Sequence, residues 1–245
     1  MGRKYFVWSF DDGVTQDRQV VETLREYGLG ATFHLNSGLF GQQTYIVYGH
    51  GFIAEIRDPE ESDDCPFVPH FRLTAEEAKS LYQGFEVAAH TCTHQDLSRC
   101  PADVRRREIE DDVAALSWLF RREIAGFAYP YGKGADESRN VLREAGVRYA
   151  RTVDPAPDFR FPTDPLRLPI TCRQSDPRFF SRLEDFFRSE AEEDQLFLAF
   201  AHSYEFDFGD KHSSWERFRR ICEIVARQPG LKCCSIREAL ESQTA

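Results

Sequence analysis

The chain predicts an α/β fold, a single β/α barrel. Three observations predict it. Short apolar runs alternate with amphipathic segments along all 245 residues, the pattern of strands alternating with helices. The alternation yields seven or eight strands with intervening helices. No internal repeat, low-complexity stretch or Gly/Ser linker divides the sequence, so residues 1–245 read as one domain. An open doubly wound sheet is the second topology with this rhythm. Both place ligands at the C-terminal edge of the strands, so functional residues are expected just after strands.

The first strand runs from Tyr5 to Phe10. Thr15 reads as an N-cap, Val20, Val21, Leu24 and Tyr27 follow at helical spacing, and Gly28 closes that helix. Ala31 to Leu35 is the second strand. Thr74-Ala75-Glu76-Glu77 is a capping box that opens a helix through Leu81. Phe85 to Ala89 is the third strand. Pro101 suits a first helical position, where its missing N–H has no partner to lose. Val104, Ile109, Val113, Leu116 and Phe120 then trace one face of a long helix. Further strands fall at Ile124–Tyr129, Val147–Arg151, Leu166–Ile170, Leu196–Ala201 and Leu231–Ser235. Helices fall near Asp136–Ala145, Pro177–Ser189 and Ser214–Arg227.

Thr44 to Phe71 breaks the rhythm. A βα connection usually takes ~2–6 residues. This stretch carries Pro59, Pro66, Pro69 and the acidic run Asp58, Glu60, Glu61, Asp63 and Asp64. It reads as an insertion at about 44–71, either a solvated surface segment or a lid that selects substrate.

Lys and Arg number 31 against 41 Asp and Glu, a formal charge of −10. That balance argues against nucleic acid, whose phosphates need cations to displace their counterions, and against docking on anionic membranes. No run of ~18 apolar residues exists to span a bilayer. An apolar share of 41% with 21 Phe supplies a core. Met1-Gly2-Arg3-Lys4 passes at once into Tyr5-Phe6-Val7-Trp8, leaving no signal core of ~7–15 residues. A cytoplasmic protein is therefore expected. Seven cysteines, an odd number with Cys233 and Cys234 adjacent, suit free thiols in a reducing compartment. The sequence carries no signal for oligomeric state.

Four short motifs follow four strands. Ser9-Phe10-Asp11-Asp12-Gly13 places two carboxylates on a tight turn, although Asp-Asp-Gly is also ordinary turn chemistry. His90-Thr91-Cys92-Thr93-His94 sets two imidazoles four apart, a spacing that can converge on one metal. A catalytic zinc site takes three protein ligands and keeps an open position, and one of the Asp pair completes that set. Tyr129-Pro130-Tyr131-Gly132 forms a rigid turn able to aim backbone N–H groups at an oxyanion. His202 follows the strand Leu196–Ala201 as a candidate acid or base. Glu205 or Asp207 can hold its second ring nitrogen. Cys92 reads as a small buried thiol, His34 as a core or barrel-lining residue, and Cys233-Cys234 as part of the last strand.

Together these motifs resemble those of the polysaccharide deacetylase family, carbohydrate esterases that remove N-acetyl groups from chitin-like or peptidoglycan-like polymers. The family's Thr-Phe-Asp-Asp-Gly is similar to Ser9–Gly13, and its His-Ser/Thr-x-x-His to His90–His94. Its Arg-x-Pro-Tyr-Gly is similar to Ala128–Gly132, and its Leu-x-x-His to Leu198–His202 with one residue of slippage. The resemblance implies a distorted (β/α)7 barrel. It implies a divalent metal, usually zinc, on Asp12, His90 and His94. Asp11 is then the catalytic base, His202 the general acid, and the Tyr131 N–H an oxyanion donor. The Arg that opens the third motif and steadies the catalytic Asp is Ala128 here. The Asp-x-x-Asp-Trp motif has no match, since Asp154 and Asp158 occur without a Trp. Arg151, at the end of the next strand, can supply the guanidinium from a neighbouring position. The implied function is N-deacetylation of an N-acetylated sugar or polysaccharide. A cytoplasmic hydrolase of a small amide, imide or ureide is the alternative, with a capped pocket as its mark and an aromatic-lined open groove as the mark of a polymer enzyme. A non-catalytic metal- or sugar-binding protein is the third reading.

Overall fold

The computed structural model describes residues 2–49, 52–62 and 65–243. Asp63 and Asp64 of the acidic run lie outside them. Among the described residues no helix is long and apolar enough to cross a membrane.

The strands are β1 (Lys4–Asp11), β2 (Ala31–Leu35), β3 (Gln43–Gly49), β4 (Phe52–Ile56), β5 (Phe67–Phe71), β6 (Glu86–Ala89), β7 (Gly126–Ala128), β8 (Tyr149–Pro155), β9 (Leu168–Ile170), β10 (Cys172–Arg173), β11 (Gln195–Ala201) and β12 (Leu231–Cys233). The helices are α1 (Asp17–Tyr27), α2 (Ala75–Leu81), α3 (Ala102–Phe120), α4 (Ala135–Glu144), α5 (Phe179–Arg188), α6 (Trp215–Arg227) and α7 (Ile236–Glu241). The main sheet is parallel, in the order β10-β11-β1-β2-β6-β7-β8-β9, with β12 on the first half of β1. Its two ends are consecutive in sequence: β9 pairs with β8, β10 pairs with β11, and Thr171 alone lies between them. The Thr171 N–H reaches Leu198 O at 2.9 Å. The sheet therefore nearly closes, the barrel predicted from sequence.

Strand periodicity decides what enters that barrel. Side chains alternate faces with period two. On β1, Phe6, Trp8 and Phe10 join the layer between sheet and helices, together with Phe33 and Phe197. Tyr5 and Val7 join the interior with Tyr149, Leu168, Leu196, Leu198 and Phe200. Continuing the interior series brings Ser9 and Asp11 inward on β1, His34 on β2, His90 after β6, Arg151 on β8 and His202 after β11. All six are at the C-terminal end of the barrel, where apolar filling stops.

Several boundaries differ from expectation for local reasons. Gln16, not Thr15, precedes the first helical residue. Pro101 is itself the cap, with extended ψ, and Ala102 opens the helix. The run predicted as a strand to Ser235 stops at Cys233, because Ser235 and Glu238 form a second capping box and start α7. Cys234 lies just past the strand. All seven cysteines are free thiols. Cys92 is half-buried, and burial pushes its thiol up to about 12, so it is not a thiolate.

The insertion is not a loop. β3, β4 and β5 form a separate antiparallel sheet in the order β4-β3-β5. On β5, Val68 and His70 are buried while Phe67 and Pro69 are exposed, the alternation of a sheet with one covered face. Val68 and Ile46 pack with Val14 and Tyr204, which seats this sheet over the barrel mouth.

Candidate active site

Asp11, the last residue of β1, is buried at 3% exposure. Arg151 Nη2 sits 2.5 Å from both of its oxygens. His34 Nδ1 lies at 3.3 Å and His90 Nε2 at 3.6 Å. Burial alone pushes this carboxyl up, but Arg151, His90 and His34 outweigh it and hold it well below the usual range. Arg151 is fully buried and lies 4.4 Å over the Phe200 ring. The guanidinium absent at Ala128 thus reaches Asp11 from β8. Asp154 and Asp158 pair instead with Arg167 and Arg160.

Asp12 turns the chain at φ 80°, and Gly13 continues the left-handed turn at 66°. Thr91 (66°), His94 (58°) and Tyr131 (58°) share that uncommon conformation. Three of the five non-glycine residues with positive φ among the described residues, Asp12, His94 and Tyr131, therefore line one cavity, the usual place for such strain. At Gly132, φ 72°, an added Cβ falls 2.4 Å from Val153 Cγ2, so the turn presenting Tyr131 requires glycine.

One ligand atom each from Asp12, His90 and His94 lie within 4.8 Å of one another. His90 Nδ1 is 2.7 Å from Ala128 O. A carbonyl only accepts, so Nδ1 carries the proton and Nε2 faces the cavity with its lone pair, the arrangement typical of a metal-ligating histidine. Burial lowers the pKa of both histidines, that of His94 to about 4, which keeps them neutral. Two neutral imidazoles and one anionic carboxylate are a donor set that fits a divalent ion with an open position.

His202 Nδ1 lies 2.9 Å from Glu205 Oε1, and its Nε2 lies 3.9 Å from Asp12 Oδ2. Glu205, not Asp207, is therefore its partner. Asp207 binds Gln16 and the Trp215 indole. Burial pushes Glu205 up, but Arg173 and His202 prevail and bring it to about 2. The Tyr131 N–H has no protein partner among the described residues.

The insertion supplies residues that sequence reading missed. His70 Nε2 is 3.4 Å and Arg72 Nη2 is 3.2 Å from Asp12. Burial opposes the charge on His70, but bonds to Asp12 and Glu55 raise its pKa. Glu55 is drawn down to about 2, chiefly by His70. The period-two spacing of Val68, His70 and Arg72 was the available signal, but it names a shared face without naming what that face covers. Ile46, Ile53, Ala54 and Glu55 join Tyr129, Tyr131, Val153, Phe200 and Tyr204 around a cavity of about 460 Å3.

Two further carboxyls hold the loops. Asp112 of α3 accepts from the N–H groups of Ser37 (2.7 Å) and His90 (2.9 Å). Asp17 of α1 accepts from Ser203 Oγ and Tyr82 OH, both at 2.5 Å. Burial pushes both up to about 7. For Asp17 the folded pKa exceeds the unfolded one. Its contribution to stability is then full below about pH 4 and is lost as pH rises through 7, roughly 4 kcal/mol in all. Asp17→Asn is expected to remove that share of the slope. Melting temperatures from pH 4 to 8 test it, and parallel curves for variant and wild type refute it.

Residues 1–150 match the polysaccharide deacetylase family. Among solved structures, the Streptococcus pyogenes deacetylase PplD in complex with acetate is 20% identical, with 66% of this chain and 61% of that one covered, at a TM-score of 0.50. A family 4 carbohydrate esterase from Streptomyces lividans, in complex with acetate, is 18% identical over 94% of this chain and 91% of that one, at 0.55. A family 4 pseudoenzyme from Bacillus anthracis is 14% identical over 97% of this chain and 66% of that one, at 0.59. These likenesses concern the fold, a nearly closed barrel of the (β/α)7 type.

Proposed function

Because the chain belongs to the polysaccharide deacetylase family, we propose that it is a metal-dependent hydrolase that removes the acyl group from the nitrogen of an N-acetylated sugar. The observation that carries this reading is the meeting, in one cavity, of a buried carboxylate, a carboxylate-backed histidine and a three-ligand cluster. No single one of these is specific. Their convergence from β1, β6 and β11 is what amide hydrolysis requires.

Asp12, His90 and His94 hold the ion, with zinc the choice for this nitrogen and oxygen set. When bound, it supplies Lewis acidity to a carbonyl and acidity to water. Asp11 accepts the proton of the attacking water, and Arg151 keeps that carboxylate ionised. The Tyr131 N–H donates to the oxygen that gains charge as the carbonyl carbon becomes tetrahedral, an interaction typically worth ~3–4 kcal/mol. His202 Nε2 delivers a proton to the nitrogen, so the C–N bond breaks with an amine rather than an amide anion leaving. Glu205 fixes the ring so that Nε2 faces the cavity. Retention of both proton-transfer groups, Asp11 and His202, weighs against a binding protein without turnover.

The insertion bears on substrate size. Its sheet lies over the cavity through Ile53, Ala54 and Glu55, which favours a single sugar unit, a chain end or a small amide over the middle of a polymer. This capped shape supports the second reading, hydrolysis of a small amide, imide or ureide on the same residues.

His94→Ala is expected to lose both bound metal and turnover. Metal analysis of the purified protein, joined to acetate release from N-acetylated sugars and small amides, tests the proposal. A metal-free wild type with undiminished activity, or a variant that keeps its metal, refutes the ligand assignment.

A further inference from the structure

Beyond Arg173 the reactive cavity has a neighbour. A second cavity of about 290 Å3 shares Val153, Arg173 and Phe200 with the first and adds Arg178 and Arg182 to its walls. Its one acid, Asp176, is taken up by Arg178 at 3.0 Å. Arg173 spends only Nη2 on a protein partner, Glu205, and leaves Nε and Nη1 free among the described residues. Arg182, half-buried in α5, has no carboxylate partner among the described residues, and its Nε is buried with no hydrogen bond. The Arg182 Nε, withdrawn from water, needs an acceptor, and two-oxygen anions match guanidinium geometry. This local excess of cations occurs in a chain of net charge −10, so it does not reflect overall composition.

We propose that the second cavity is an anion subsite that binds a carboxylate or phosphate carried by the same molecule whose amide lies between Asp11 and His202. The inference rests on the amide-hydrolase reading and narrows its substrate class to N-acylated compounds with an acidic substituent. Arg182 is the specificity residue, since Arg178 is held by Asp176. Arg173 faces both cavities and also holds Glu205, so it is not a clean probe.

Acetate release is measured for N-acetylglucosamine, its 1-phosphate, its 6-phosphate and its 3-O-lactyl ether, with wild type and Arg182→Gln. At least one charged substrate is expected to exceed the neutral one about tenfold in kcat/KM. Arg182→Gln is expected to remove that gain and leave the neutral substrate unchanged. Preference among the phosphates and the carboxylate identifies which anion is taken. Calorimetric titration with glucose, glucose 1-phosphate and glucose 6-phosphate, which lack the amide, reads the subsite without turnover. Charged binding weakened about tenfold in Arg182→Gln supports it, and that result holds even where no acetate is released, an outcome that refutes the hydrolase reading alone. Equal handling of charged and neutral compounds in both assays, or equal losses for both in the variant, overturns the subsite.

Discussion

An Asp11→Asn protein is expected to keep its metal and lose turnover by about 10²–10⁴-fold, the usual contribution of a positioned general base. Asp12, His90 and His94 are untouched by the change, so metal content stays at the wild-type level. The substitution has a second consequence. Arg151 is fully buried, and its Nη2 contacts both Asp11 oxygens. Asparagine leaves that charge uncompensated, and breaking a buried pair costs about 3–5 kcal/mol. The variant must therefore be assayed below its own melting temperature, with metal content and circular dichroism measured on the same sample. A folded, metal-bearing Asp11→Asn protein working near the wild-type rate removes Asp11 from the mechanism.

Arg151→Met is expected to move the acid limb of the pH–rate profile upward. In the wild type, burial pushes the Asp11 carboxyl up and Arg151 is the main influence holding it down. With the guanidinium gone, burial is opposed only by His90 and His34, and Asp11 stays protonated to higher pH than in the wild type. A protonated carboxyl accepts no proton from water, so the variant is inactive where the wild type already works and recovers as pH rises. The sign for stability follows the same pair. Asp11 is depressed in the folded state, so the pair stabilises above the ordinary carboxylate pKa and is lost as pH falls. Stability at neutral pH is expected to drop by about 3–5 kcal/mol. Rate profiles and denaturant melts of both proteins read the two effects separately. An acid limb unchanged in Arg151→Met shows that the pair does not tune the base.

These two outcomes bear on what the sequence made legible. Asp11, His90, His94 and His202 stood out because each follows a strand, and strand ends at one edge of a parallel barrel meet. The interior parity of β1 and β11 is likewise written in Tyr5, Val7 and Leu196, Leu198, whose alternation with Phe6 and Phe197 carries over to Asp11 and His202. The capping box at Thr74 was readable for the same reason, since all its partners lie within four residues. Glu205 and Asp207 were equal candidates in sequence. The turn after β11 places one on His202 and sends the other to Trp215.

The sequence alone therefore carried the barrel and the strand ends that hold chemistry, because period-two alternation and turn residues act over short range, and its motif resemblance named the five side chains that meet there. Only the tertiary structure decided that Arg151 answers the missing guanidinium 140 positions from Asp11, that the insertion returns His70 and Arg72 to Asp12, and that a cap covers the cavity. Those contacts depend on how the closed sheet and the β3–β5 sheet are seated against each other, a long-range packing outcome that local periodicity does not encode.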